Sequence, residues 1–274
     1  MKHSGTLLLS LCVAGGAVFS ACNGKGSNGS NETSTDTETL ADGTAATDDG
    51  TATAQQDVAW SVDAGTLTYG SHTYTMQGNF DTDYVSGGEG TVTFTNVPQD
   101  YREFKTVYEQ LLGNTTYGTA ALVPIAFEMW GRDHAVGEEC LKLISGGTCY
   151  NEIMSEMPRH MEASQYSPSG DPYVQRCLPA ALIAGATKEN GYNPPHPYKV
   201  KVAIGRQETW GQESEMLQAN VYQLNIVTEN AWNTPLRGVS VMKQWRGDGR
   251  FKLNNCSACY INIYVPRQDW NGLK

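Results

Sequence analysis

Cys256-Ser-Ala-Cys259 has the spacing of a redox dithiol or of half a zinc site. Each chemistry makes a further demand. A redox dithiol uses a helix N-terminus to lower the pKa of one thiol, and this pair falls between two stretches that read as strands. A four-ligand zinc site needs a second pair of similar spacing; Cys140 and Cys149 are nine apart, and His134 is not arranged with them. The plainer account is a turn pair, reduced or structurally bridged. A Cys140–Cys149 bridge is also compatible with the turn at Gly146-Gly147, and five domain cysteines leave at least one thiol over. His134 and Glu138 stand at i, i+4, which puts a metal ligand or an acid–base couple on one helix face. No third ligand is visible, and with Asp133 the same residues read as a solvated helix start. There is no GxSxG elbow. Gly87-Gly88-Glu89-Gly90 lacks the Lys-Ser/Thr of a phosphate loop and reads as a hairpin loop.

Binding residues are sought next among aromatics. The run from Gly191 to Pro197 is rich in proline and should be an extended, stiff connection. Its Tyr192 and His196 are candidates for a binding lip, or else for a packed linker. Trp210, Trp232 and Trp245 fall in or near turns of the C-terminal half, where exposed rings would stack sugars or peptides. Core packing is the competing use of such residues. Nucleic acid is excluded as a partner, because the chain carries a net charge of −10 and no basic patch. No motif calls for a cofactor.

The start of the chain has a different chemistry. Lys2 and His3 precede a short apolar run from Thr6 to Phe19, then Ser20, Ala21 and Cys22. Basic start, short apolar core and small residues make an export signal over 1–21. The run is too short for a helix to span the roughly 30 Å hydrocarbon core. Ser20-Ala21-Cys22 resembles the lipobox of bacterial lipoproteins, with Phe19 where that family more often has Leu. The resemblance implies a lipid on Cys22, a palmitate-type acyl anchor and a place in the cell envelope. Two or three chains hold far more firmly than one. The alternative is an ordinary signal cut at Ala21. Surface-exported lipoproteins of Bacteroidota carry acids just after the cysteine. Asn23-Gly24-Lys25-Gly26-Ser27 departs from that, which favours the periplasmic side of the outer membrane.

Residues 22–57 then form a tether. Residues 23–57 hold one large aliphatic side chain, Leu40, no aromatic, and seven acids against Lys25. Such a segment cannot bury enough apolar surface to offset its ordering entropy, so it should be disordered. Its reach is roughly 30 Å. From Val58 the composition changes, and 58–274 reads as one folded α+β domain in three parts. The β-rich part, 58–98, has a hairpin around Gly70-Ser71 and an alternating strand from Gly90. The part from 99 to 190 has about four helices. One follows a cap at Asp100. A second, apolar nearly all round, runs from Thr116 to Trp130, with Pro124 as a kink or the true start. A third runs from Asp133 to Ile144, and a fourth over 150–162. The part from 191 to 274 is an antiparallel sheet of about five strands, ending in YINIYV (260–265). Segregated helices and strands argue for α+β.

Several stretches, YGTAALVPIAFEMW (117–130), GEECLKLI (137–144), LIAGATKENGYNPPHPYKVKV (182–202) and GVSVMKQWRGDGRFKLNNCSACYINIYVP (238–266), are similar to an uncharacterised domain family of gut-associated anaerobes, often found in lipoproteins. The resemblance supports the α+β reading and the exported setting, and it brings no activity. The expectation is a membrane-anchored, non-enzymatic binding or interaction domain for a glycan, peptide or envelope protein. An enzyme with a site of scattered residues and a structural envelope lipoprotein are the alternatives.

Overall fold

Period-two alternation builds most of the strands. In chain order they are β1 Trp60–Asp63, β2 Thr66–Tyr69, β3 His72–Gly78, β4 Glu89–Phe94, β5 Tyr173–Gln175, β6 Tyr198–Ile204, β7 Val221–Val227, β8 Leu236–Lys243, β9 Phe251–Asn255 and β10 Tyr264–Pro266. The helices are α1 Tyr101–Gln110, α2 Thr116–Arg132, α3 His134–Ile144 and α4 Gly147–Glu162. The computed structural model describes residues 58–78, 88–162, 173–204, 221–229, 235–244, 247–261, 263–266 and 273. These belong to a compact unit spanning Gln55–Lys274. The signal, Cys22 and the tether lie outside the described residues, as do Trp210, Trp232 and Trp245.

Eight strands form one sheet in the order β1-β2-β3-β4-β6-β7-β8-β9, every neighbouring pair antiparallel. The fold is thus a single antiparallel meander, and the helices are an insertion between β4 and β6. In β6, Tyr198, Val200, Val202 and Ile204 are buried while Lys199 and Lys201 are exposed. The buried face meets α2, which contacts β4 and β6 to β9. Every residue of α2 from Thr116 to Trp130 is buried. Each large side chain there, such as Leu122, Ile125 or Phe127, contributes about 1.5–3 kcal/mol by leaving water. Thr115 caps α2 by accepting from the Gly118 N–H, and the helix runs on through Pro124.

The N-terminal strands, the four helices and the C-terminal antiparallel strands follow the expected α+β order. Three details differ. β1 was not expected; it pairs with β2 at the sheet edge. The N-terminal hairpin and the C-terminal strands share one sheet because Phe94 pairs with Tyr198 across the helical insertion. YINIYV does not add a strand to that sheet: Tyr260 follows a 3₁₀ turn at Ser257–Cys259, and β10 pairs with β5 in a separate two-stranded sheet.

Candidate functional site

His134 and Glu138 each engage a partner of their own. Asp133 caps α3 through the N–H groups of Ala135 and Val136. The His134 ring stacks on Trp130, centroids 3.9 Å apart and 12° from parallel. Glu138 accepts from the Tyr150 hydroxyl at 2.7 Å, which pushes that phenol up to about 12. Each side chain thus has a partner other than its i, i+4 neighbour. Tyr192 is only 1 % exposed, so it offers no stacking face to solvent. His196 stays at the surface, where its ring N–H donates to the Thr95 carbonyl. The half-exposed aromatic that sequence reasoning did not single out is Trp60 of β1, with Val58 and Val62 on the same side of the chain.

A concavity lies on the open side of the sheet, away from α2. Gln77 pairs with Thr91, Thr91 with Lys201, and Lys201 with Val227, so these four side chains make one row across β3, β4, β6 and β7. They line a cavity of about 350 Å³ together with Gly78, Glu89, Gly90 and Val202. Gly78 pairs with Gly90 and Gly90 with Val202, so backbone forms that end of the cavity floor. Gly78 has φ +117, and a Cβ there would sit 2.5 Å from the Glu89 carbonyl oxygen, so only glycine fits. Lys201 Nζ lies 3.7 Å from Glu229 in an exposed pair, which costs little to open. The row offers amide and hydroxyl groups that donate and accept, an ammonium, a carboxylate and one apolar patch. Neighbouring strands carry these residues, and period-two alternation sets all four on one face of the sheet.

Two buried carboxylates serve the fold. Glu103 Oε1 accepts from the Tyr74 hydroxyl at 2.6 Å and lies 2.6 Å from His72 Nδ1, while Oε2 accepts from the Gln99 N–H at 2.8 Å. The Glu103 N–H donates to Asp100, the N-cap of α1. This ties the β2–β3 hairpin to the start of α1. Burial, reinforced by Glu103, holds the Tyr74 phenol far above its usual range. Glu128 Oε1 accepts from Arg132 Nε at 3.0 Å and from the Leu273 N–H at 2.9 Å, and the Arg132 guanidinium also donates to the Leu273 carbonyl. Residue 273 is thus gripped on both sides. Burial raises the Glu128 pKa, opposed by Arg132 and the Leu273 N–H.

The domain cysteines Cys140, Cys149, Cys177, Cys256 and Cys259 are all free thiols and all buried. The thiol of Cys149 hydrogen-bonds with that of Cys256, not with Cys140. Cys177 Sγ lies 4.0 Å from the Cys259 carbonyl oxygen. Burial pushes Cys140 and Cys259 up to about 12. Among the described residues, no three His, Cys, Asp or Glu side chains are placed to share a metal ion. Nor is any described helix long and apolar enough to cross a membrane.

Residues 96–267, more than half of the chain, match a domain of unknown function, DUF6935. The chain belongs to the DUF6935 family. No curated protein and no solved structure matches it significantly. The DUF6935 match begins just after β4, yet β4 is an interior strand of the sheet. The folded unit therefore extends N-terminally beyond the DUF6935 segment. The open-face row is shared in the same way: Lys201 and Val227 lie within that segment, whereas Gln77, Glu89 and Thr91 precede it.

Proposed function

We propose that this DUF6935 protein is a lipid-anchored lipoprotein of the bacterial cell envelope, Bacteroidota-like, whose folded domain binds a polar ligand without turning it over. The envelope part rests on the signal over 1–21, on Cys22 after Ser20-Ala21, and on the acidic tether over 22–57. The binding part rests on one observation, the Gln77–Thr91–Lys201–Val227 row with Glu89 at its rim. Vicinal hydroxyls of a glycan, or the amides of an extended peptide or envelope protein, need donors and acceptors held side by side, and this row supplies both. At about 350 Å³ the cavity takes one or two sugar-sized units. The membrane partner is the outer membrane, on its periplasmic side.

Glycan and peptide arrays probed with the purified chain test the binding part. Ligand capture should fall at least about tenfold in Lys201→Ala, one hydrogen bond from a charged donor, and several-fold in Thr91→Ala, one neutral hydrogen bond, each with an unchanged melting temperature. Equal capture by both variants would move the ligand off this face. Cys22→Ala should abolish palmitate labelling, and protease shaving of intact cells should spare the wild type.

A further inference from the structure

The geometry points to a covalent site: Cys149, in the first turn of α4, and Cys256, just after β9, join as a disulfide when the chain folds in an oxidising compartment, with an external disulfide as the oxidant. The proposal rests on the export reading above for its compartment, and on the fold alone for its pairing. Ser145 bridges Leu253 in parallel, and the Gly146 N–H donates to the Leu253 carbonyl at 2.8 Å. From that pinned point each strand of chain advances three or four residues to a cysteine. Both thiols then lie buried in the core, Cys149 2 % and Cys256 1 % exposed, close enough to act on each other.

The other pairings are disfavoured by the same structure. Cys140 faces the α1 side of α3, with Asp100 and Glu139 as its charged neighbours. Cys177 aims at the carbonyl of Cys259. Cys256 and Cys259 are the two ends of a 3₁₀ turn closed by the Cys259 N–H to the Cys256 carbonyl at 2.8 Å, so a bridge between them would close a small, strained ring.

The chemistry follows from position. The Gly146 carbonyl accepts the first α4 bond, from the Tyr150 N–H, so Cys149 sits in the first turn with the positive end of the helix dipole beside it. The Cys256 S–H donates to the Cys149 sulfur, which lowers the pKa of Cys149 and raises that of Cys256. The dipole of α4 acts as soon as that helix forms, so Cys149 is the attacking thiolate before the core closes. It displaces one sulfur of an external disulfide R–S–S–R: the S–S bond breaks, a Cys149–S–S–R bond forms, and the first RS⁻ leaves with the Cys149 proton. Cys256 then attacks the Cys149 sulfur, the second RS⁻ leaves with the Cys256 proton, and two electrons have passed to the external disulfide. Because both thiols are buried in the finished core, exchange precedes core closure, and the closed core then shields the bond from reductant.

Refolding the full chain from denaturant with reduced and oxidised glutathione, alkylating, and mapping non-reduced peptides tests the pairing. The expected product links the Cys149 and Cys256 peptides and leaves Cys140, Cys177 and Cys259 alkylated. Since the bond closes a loop of roughly a hundred residues, the oxidised protein should melt roughly 10 °C above the protein refolded in reductant. That gap should vanish in Cys149→Ser and Cys256→Ser and persist in Cys140→Ser. Alkylation of Cys149 and Cys256 along with the other domain cysteines, or a bridge between any other pair, would overturn the pairing, whether or not the serine variants fold. The same map on acid-quenched cells addresses the compartment. A bridge with glutathione but free Cys149 and Cys256 thiols in cells would overturn the envelope placement and leave the pairing standing.

Discussion

Glu128 is a carboxylate on the most buried helix of the domain, and its protonation is coupled to folding. Burial raises its pKa above the ordinary 4.5. Between 4.5 and the raised value, the folded chain holds this proton and the unfolded chain does not. Folding stability from this group is therefore complete below about 4.5 and is lost as pH rises through the folded value. Burial acts oppositely on His160, whose pKa falls below 6.5, so its contribution is complete above that value and lost as pH falls. Glu128→Gln removes the first dependence and keeps the second. Thermal melts of both proteins from pH 4 to 7 should show the wild type losing ground to the variant as pH rises. Parallel curves would mean that Arg132 cancels the cost of burying the charge.

Helices α2 and α3 meet at a point that admits no side chain. A Cβ on Gly137 would fall 2.0 Å from the Cα of Trp130. Gly137→Ala should cost about 3 kcal/mol in urea unfolding, because backbone stands in the way and no rotamer relieves it. Gly147, in the first turn of α4, has nothing within 4 Å of such a Cβ. Gly147→Ala should be neutral or gain about 0.5 kcal/mol by restricting the unfolded chain. Equal effects would place the α2–α3 contact elsewhere. Arg250, just before β9, and Lys252 within it supply two cations to helix C-termini. Arg250 Nε donates to the Glu109 carbonyl of α1 at 3.0 Å, and Lys252 Nζ donates to the Leu143 carbonyl of α3. Both ends carry carbonyls without helical partners and the negative end of the dipole. Burial lowers the Lys252 pKa, but the ammonium keeps a further contact, 4.8 Å from the Tyr108 ring centre.

For the whole molecule, the pairing of β4 with β6 sets what can be removed. A chain beginning at Val58 keeps β1 to β4 and loses only the acidic tether, so its melting temperature should stay within about a degree of the full chain. A chain beginning at residue 96, the start of the family match, loses Leu67, Tyr74, Val92 and Phe94 from the core and bares the edge of β6. It should fail to fold cooperatively or should aggregate. Circular dichroism melts of the two chains compare them directly. A cooperative transition in the shorter one would mean that 96–267 is self-sufficient.

Much of this was legible in local spacing. The stripe Phe104, Val107, Tyr108 and Leu111 after Asp100 announced α1, and Asp133 announced α3. Alternation in YKVKVAI announced β6, with Tyr198, Val200, Val202 and Ile204 on one face. These signals are local, since a side chain's face depends on its own neighbours within a few residues. The tertiary structure decided what local spacing cannot carry. It joined strands about a hundred residues apart, and so set Thr91 beside Lys201. It buried Tyr192, whose position among prolines had suggested a surface lip. It turned Cys149 toward Cys256 and away from the nearer Cys140. Register between distant strands and the meeting of distant thiols follow from how the whole core packs, and no short window of sequence contains that packing.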